Sequence, residues 1–260
     1  PYPQILHQFY YSFLSYRVNL FHVQMKKNKV LNITNNNFMT THKINKLSKN
    51  IFGTIKSTLE EEYNSKYRFS TIFSDKNNKY QVDKSKKKYI QAGVMCILMP
   101  SNNQSSIEII LTVRSKKLKT HSGQISFPGG KLDKSDNNLI ECALRETYEE
   151  IGIEKKKIQT IGMMNKYITG TGFLVTPVIA TLKERIKYNI NANEVEEVIS
   201  FPLNYFSKAK EIKMTSFYND KKQKFFYYDF KWQGYRIWGT TALILYDINN
   251  ILNKILKTND

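Results

Sequence analysis

The 260-residue chain has few of the sequence features that are typical of disulfide-rich, zinc-binding and membrane-spanning proteins. It contains two cysteines, Cys96 and Cys142, with no Cys-x-x-Cys pair and no nearby histidine cluster. The pattern therefore predicts neither a disulfide framework nor a zinc site, and we expect both residues to be small buried hydrophobes in a reducing compartment. No stretch approaches the ~20 consecutive apolar residues that span a bilayer, so no membrane span is expected.

Arginine is scarce although the chain is strongly basic. Forty Lys and Arg against 22 Asp and Glu give a formal net charge of +18, yet only six of the basic residues are arginine. A charge of this size suggests nucleic acid, a membrane surface or a small polyanion as partner. Dispersed lysine with little arginine is more typical of compositional bias than of a surface that reads nucleic acid. We therefore expect a small-molecule partner and no specific nucleic acid; the oligomeric state stays open.

Acidic residues are absent from the first 59 positions, which carry eight lysines and arginines. Such an N-terminus is typical of a transit peptide for a mitochondrion or plastid, and a leader without an address is the alternative. The destination is then an organellar matrix or the cytoplasm, and the C-terminal Lys-Thr-Asn-Asp is not a peroxisomal signal. We divide the chain into a leader at 1–42, a helix and lysine-rich linker at 43–87, and a folded domain at 88–258.

The folded domain alternates between strand and helix patterns. Apolar runs at 91–100 and 106–115, joined by a polar connection, predict a hairpin. Helical spacing predicts a helix that ends at Gly152, a suitable C-cap. Further strands are predicted at 124–127, 158–167, 172–182 and 196–203, and further helices at 44–63 and 246–257. Together these elements indicate the α/β class, as an α/β/α sandwich on a mixed sheet with an N-terminal helical extension.

The helix before Gly152 is acidic in an otherwise basic chain, with four Glu and one Arg in residues 141–150. Glu150 and Glu149 lie about 40° and −60° around the helix from Glu146, so three carboxylates share one face. Like charges this close raise each other's pKa unless a cation lies among them, and Mg²⁺ or Mn²⁺ suits carboxylate oxygens. The alternative is a solvated acidic face. Arg145 can pair with Glu149 along the helix and orient its carboxylate.

A glycine pair precedes this helix at the end of the extended run Phe127-Pro-Gly-Gly130. Adjacent glycines allow the backbone to bend tightly and to approach a metal or phosphate. The combined segment GGKLDKSDNNLIECALRETYEEIGI resembles the Nudix box, the signature of hydrolases that cleave a nucleoside diphosphate linked to another group. Three features depart from the commonest form: the first Gly lies one residue further from the Arg, Asp136 replaces a glutamate, and Thr147 replaces an aliphatic residue.

A second motif lies directly upstream. Residues 110–130, ILTVRSKKLKTHSGQISFPGG, resemble the extra motif of coenzyme A pyrophosphatases, with Ile110 in place of a leucine and Lys119 in place of an arginine. The stretch YRIWGTTALIL at 235–245 is similar to the C-terminal segment of that subfamily. The resemblance covers about residues 88–257. It implies a Nudix-type fold and hydrolysis of coenzyme A, or its derivatives, to 4′-phosphopantetheine or its acyl form and 3′,5′-ADP.

The resemblance also implies a set of site residues. Glu146 and Glu150 would bind the principal Mg²⁺ or Mn²⁺, and Glu149 would reach a second ion. A base is expected in the loop at 191–203, with Glu194 ahead of Glu197 and a solvated strand edge as the alternative. The expected ligands are Glu146, Glu149, Glu150 and the Gly130 carbonyl, the expected catalytic residues Arg145, Glu149 and Glu194, and the expected substrate-binding residues Arg114, Lys119 and Gly129.

Two other functions remain open. A Nudix hydrolase could act on ADP-ribose, a dinucleotide or capped RNA, because the box supplies the chemistry while other loops select the substrate. A catalytically idle Nudix fold could bind nucleic acid, although the intact glutamates and the lack of an aromatic-basic RNA motif argue against it. His121 could contact substrate or brace its loop. Trp232, Tyr235 and Trp238 are predicted to lie in the core rather than to stack on adenine.

Overall fold

The computed structural model describes residues 51–62, 67–69, 72–74, 89–101, 107–169, 171–182, 185–208, 213–218 and 224–258. The predicted leader, the start of the predicted first helix and most of the lysine-rich linker lie outside the described residues. None of the described helices is long and apolar enough to cross a membrane.

The helices are α1 (Ile51–Glu62), α2 (Leu139–Ile151), α3 (Tyr205–Lys208) and α4 (Gly239–Thr258), with a 3₁₀ turn at Lys155–Lys157. The strands are β1 (Tyr67–Phe69), β2 (Ile72–Ser74), β3 (Ile90–Pro100), β4 (Ile107–Arg114), β5 (Ile125–Ser126), β6 (Gly129–Lys131), β7 (Ile158–Met163), β8 (Lys166–Ile168), β9 (Phe173–Leu182), β10 (Val195–Pro202), β11 (Lys213–Tyr218), β12 (Lys224–Trp232) and β13 (Tyr235–Trp238).

A mixed nine-stranded sheet forms the centre of the fold. Its strand order is β1-β8-β9-β3-β4-β10, with β5 beside β4, β6 beside β3 and β7 beside β9. Strand β3 runs parallel to β9 and antiparallel to β4 and β6. The predicted hairpin is confirmed as β3 and β4. The run predicted as one strand at 158–167 is divided, because β7 and β8 each pair separately with β9.

Alternating side chains of β3 face opposite sides of the sheet. Met95 and Ile97 pack in the apolar cluster that contains the inner face of α2. Cys96 and Leu98 pack on the opposite side, in the cluster formed with α1 and α4. Helices therefore cover both faces, and the predicted α/β/α sandwich on a mixed sheet is confirmed. Both cysteines are free and buried, as the sequence predicts.

A second, four-stranded sheet was not predicted. It contains β11, β12 and β13 in that order, with β2 also paired to β12. The run KFFYYDFKW in β12 alternates aromatic and charged residues only from Tyr228 to Trp232, and the four consecutive aromatic residues at 225–228 do not alternate. Trp232 and Tyr235 are half-buried against the main core, as predicted. Trp238 is exposed, and the prediction that it lies in the core is wrong.

Both ends of α2 are fixed by capping. The Asn138 side chain accepts hydrogen bonds from the N–H groups of Ile140 and Glu141 at 2.9 and 3.0 Å. Gly152 adopts the left-handed conformation, with φ of 74°, and donates to the Tyr148 carbonyl, so the predicted C-cap is confirmed. Thr147 is buried, and its hydroxyl donates to the Ala143 carbonyl at 2.6 Å, which satisfies a polar group on the apolar face.

Close contact between α2 and β3 depends on Gly93. A Cβ atom at this position would overlap the Leu139 carbonyl oxygen and lie 3.2 Å from the Ala143 nitrogen. The first turn of α2 therefore rests directly on the strand backbone. This contact sets the distance between the acidic helix and the glycine loop that enters β6.

Candidate active site

Arg145 is the centre of an ion-pair network on the outer face of α2. Its guanidinium donates two hydrogen bonds to Asp136 at 2.8 and 2.9 Å, and one each to Glu146 and Glu149 at 2.9 Å. It also donates to the Lys131 carbonyl at 3.2 Å. The predicted pairing of Arg145 with Glu149 is therefore present, but Arg145 joins three carboxylates instead of one.

Asp136 anchors this guanidinium from the loop before α2. Its side chain is 4% exposed, and the hydrogen bonds from Arg145 lower the pKa of the carboxyl from its usual value to about 2. The same bonds raise the pKa of Arg145 above its usual range. The aspartate at this position therefore stays ionised and can orient Arg145 throughout the physiological pH range.

Glu146 lies directly beneath the glycine loop. A Cβ atom at Gly130 would lie 2.5 and 2.6 Å from the two Glu146 carboxylate oxygens, so a side chain there would displace the carboxylate. Burial raises the pKa of Glu146 in spite of its hydrogen bond from Arg145. The close approach that the sequence predicts for the glycine pair thus brings backbone within contact distance of a carboxylate.

Glu150 is the most deeply buried carboxylate of the helix, with 3% of its surface exposed. It accepts a hydrogen bond from the Gly129 N–H at 3.2 Å, and the Arg114 guanidinium lies 4.0 Å from its other oxygen. These partners do not compensate for burial, which raises the pKa of Glu150 to about 8. The site therefore contains a buried carboxylate that lacks a full counter-charge among the described residues.

Arg114 lies at the end of β4 and faces this carboxylate. Its Nε is buried and has no hydrogen-bond partner among the described residues. The loop that follows is closed by hydrogen bonds from the Arg114 N–H to the Gln124 carbonyl and from the Gly123 N–H to the Arg114 carbonyl. A guanidinium beside an acidic site can bind an anion such as phosphate.

The loop after Arg114 places its other predicted residues at the surface. Lys119 is exposed. His121 has a positive φ of 57°, and its Nδ1 lies 3.0 Å from the Gln124 side-chain oxygen. Of the two roles considered for His121, this contact favours bracing of the loop.

The two glutamates considered as base occupy different surroundings. Glu194 lies near enough to Glu146 and Glu150 for its charge to contribute to their raised pKa values. Glu197 accepts a hydrogen bond from the Tyr235 hydroxyl at 2.6 Å, in contact with the second sheet. The structure thus groups Glu194 with the acidic face of α2, whereas Glu197 is engaged elsewhere.

Sequence reasoning missed Asn191. This residue contacts both the end of α2 and the Glu194 side chain. The only available signal was its position in the short polar segment before β10, and such Asn-rich segments are common in this chain.

The donor set fits a hard divalent cation. Burial disfavours the ionised forms of the Glu146 and Glu150 carboxylates. A cation that binds oxygen ligands would stabilise these ionised forms. Within the described part of the chain, no three Asp, Glu, His or Cys side chains are grouped as a metal-binding set. The Arg145 guanidinium contacts Glu146 and Glu149, while Glu150 is turned toward Gly129.

The chain is similar to several known proteins. The NUDIX domain matches residues 90–221. Over 156 residues the chain is 33% identical to the uncharacterized Nudix hydrolase NudL of Pectobacterium atrosepticum, covering 58% of this chain and 79% of that protein. It is 34% identical over 160 residues to Nudix hydrolase 15, mitochondrial, of Arabidopsis thaliana, covering 60% and 56%. A MutT/nudix family protein structure from Enterococcus faecalis has a TM-score of 0.41 at 15% identity, covering 68% and 66%.

The match to the NUDIX domain and to relatives named Nudix hydrolase puts the chain in the class of hydrolases that act on diphosphate bonds. The chain is a member of the Nudix family. Enzymes of this family generally use divalent metals such as Mg²⁺ or Mn²⁺ and act on small-molecule substrates.

The buried state of Glu150 predicts a pH-dependent stability. Because its pKa is raised in the folded protein, the folded state binds the additional proton, and the free energy of unfolding of the metal-free protein falls as the pH rises from about 4.5 to about 8. Glu150→Gln removes this loss. The measurement is made in chelator. As the pH rises from 5 to 8, we expect the free energy of unfolding of the variant, minus that of wild type, to increase by an amount on the order of 3 kcal/mol.

Chemical denaturation at several pH values measures this difference. Glu141→Gln is the matched control, because Glu141 lies on the same helix but is paired with Lys155 in a more exposed position. A difference between Glu150→Gln and wild type that stays constant with pH would contradict the burial argument.

Proposed function

We propose that this Nudix hydrolase cleaves the diphosphate bond of coenzyme A or its acyl derivatives in a divalent-metal-dependent reaction. The observation that carries the proposal is the approach of Arg114 to Glu150, at 4.0 Å. Arg114 belongs to the motif at 110–130 that resembles coenzyme A pyrophosphatases, and Glu150 belongs to the Nudix box. The two motifs therefore contribute to one site.

In this proposal Glu146, Glu150 and the Gly130 carbonyl would bind the principal cation, and Glu149 would bind a second ion. When bound, Mg²⁺ or Mn²⁺ would neutralise diphosphate charge and lower the pKa of an attacking water. Arg145 orients Glu146 and Glu149 through its bonds to both and to Asp136. Its role is to keep the carboxylates in place as the cation and substrate bind.

Glu194 is the proposed general base. Its proximity to Glu146 and Glu150 supports this role, and the bond of Glu197 to Tyr235 makes Glu197 the weaker candidate. Glu194 would accept a proton from the water that attacks phosphorus. The P–O–P link then breaks, and coenzyme A plus water gives 4′-phosphopantetheine and 3′,5′-ADP.

The substrate would enter beside the basic loop that follows β4. The Arg114 guanidinium lies 4.0 Å from Glu150, and the Gly129 N–H donates to the same carboxylate. Lys119 is exposed on the same loop. These groups suit a substrate with several phosphates, and coenzyme A carries a 3′-phosphate in addition to its diphosphate.

A product assay tests the substrate assignment. We expect coenzyme A or acyl-coenzyme A, with Mg²⁺ or Mn²⁺, to be cleaved with a higher kcat/KM than ADP-ribose, NADH or capped RNA. Glu150→Gln should lower kcat/KM about 100-fold or more, because it removes a charged metal ligand. Glu141→Gln, on the same helix, should remain close to wild type.

Other outcomes of the assay would reject parts of the proposal. Equal or faster cleavage of ADP-ribose would reject coenzyme A as the preferred substrate. Full activity of Glu150→Gln would reject the proposed metal ligand. Binding of RNA with a steep salt dependence, and no cleavage of any substrate, would favour the nucleic-acid-binding alternative.

We also propose an organellar matrix as the site of action. The acid-free, basic composition of residues 1–42 supports it, and one relative carries the name mitochondrial. A fusion of residues 1–42 to a fluorescent protein should collect in mitochondria or plastids. Its control replaces the four basic residues in that segment, Arg17, Lys26, Lys27 and Lys29, by Gln and should stay diffuse. Diffuse fluorescence of both fusions would favour the cytoplasm.

A further inference from the structure

The loop before β10 is attached to the C-terminal end of the acidic helix. The Asn189 N–H donates to the Ile151 carbonyl, and the Asn191 N–H donates to the Glu150 carbonyl, each at 3.0 Å. These bonds satisfy two of the carbonyls that every helix leaves without an intrahelical partner at its end. The backbone of the loop is thereby held in register with Glu150.

The Asn191 side chain extends this connection to Glu194. Its Oδ1 accepts a hydrogen bond from the Asn193 N–H at 3.2 Å. Because a backbone N–H can only donate, this bond fixes the orientation of the amide and leaves Nδ2 to donate to Glu194. That second bond, from Asn191 Nδ2 to Glu194 Oε1, measures 3.3 Å.

The backbone of Glu194 is held from both sides. Its N–H donates to the Asn191 carbonyl at 3.0 Å, and its own carbonyl accepts from the Ser115 N–H at 2.8 Å. The Ser115 hydroxyl also donates to the Ala192 carbonyl at 3.2 Å. With the main chain fixed in this way, the remaining freedom of Glu194 lies in its side-chain rotamers.

The rotamer of Glu194 decides whether its carboxylate faces Glu146 and Glu150 or the solvent. A donor directed at one of its oxygens selects a single rotamer. Asn191 supplies that donor from a position whose backbone is bonded to Glu150.

We propose that Asn191 is a positioning residue, which holds Glu194 Oε1 through its amide so that the other carboxylate oxygen can accept a proton. This inference deepens the proposed function and rests on it, because it assigns Asn191 a role through the proposed base. Asn191 itself contacts neither the substrate nor a reacting atom.

Two substitutions separate positioning from loop structure. Asn191→Asp keeps a side-chain oxygen that can accept from the Asn193 N–H, but it removes the donor to Glu194 and adds a like charge. Asn191→Ala removes both side-chain bonds. A merely structural role would leave Asn191→Asp close to wild type and impair Asn191→Ala alone.

The experiment compares kcat and KM for the best substrate of the product assay among wild type, Asn191→Asp, Asn191→Ala, Glu194→Gln and the double variant Asn191→Asp/Glu194→Gln. Asn193→Ala, an exposed residue of the same loop, is the matched control. We expect Asn191→Asp to lower kcat about tenfold with KM within about twofold of wild type. In the Glu194→Gln background it should have no further effect. Melting temperatures in chelator should stay close to wild type.

Each other result overturns the inference. Wild-type kcat in Asn191→Asp beside an impaired Glu194→Gln would show that the base does not need the amide. Equal losses in both backgrounds would show that Asn191 acts independently of Glu194. Full activity of Glu194→Gln would reject Glu194 as base and Asn191 with it, while leaving diphosphate hydrolysis intact. A wild-type protein that cleaves none of the substrates would reject the proposed function itself.

Discussion

A single guanidinium, that of Arg145, bonds to three of the carboxylates on and beside the acidic helix α2. Arg145 bonds to Asp136, Glu146 and Glu149, and these bonds place two residues of α2 and the preceding loop in one rigid arrangement. Glu150 lies outside this network and is buried. The constraint therefore divides the acidic face into carboxylates that bond to Arg145 and one, Glu150, that is buried without a bond to it.

The fold brings this face together with groups from distant parts of the chain. Gly93 lets α2 rest on β3, and Gly130 leaves room for the Glu146 carboxylate. Strands β4 and β10 pair so that Arg114 lies opposite Val195, which puts the end of one strand beside the start of the other. Arg114 and the loop that carries Glu194 therefore reach the same end of α2 through sheet pairing.

Much of the architecture could be predicted because its signals are local. The hairpin of β3 and β4 follows from two apolar runs, and the bounds of α2 follow from helical spacing and Gly152. The second sheet was missed. In β12, aromatic and charged residues alternate only from Tyr228 to Trp232, after a run of consecutive aromatic residues. The exposure of Trp238 also depends on the tertiary arrangement. Asn191 was missed because its contacts join segments that are distant in sequence, and no periodic pattern records such contacts.

We propose that Glu146 and Glu150 bind a divalent cation. Equilibrium binding of Mn²⁺ at pH 7.5, followed by the electron paramagnetic resonance of the free ion, tests it without any substrate. We predict saturable binding to wild type and affinity at least about tenfold weaker for Glu150→Gln, with Glu141→Gln unchanged. Equal Mn²⁺ affinity in wild type and Glu150→Gln would contradict the claim.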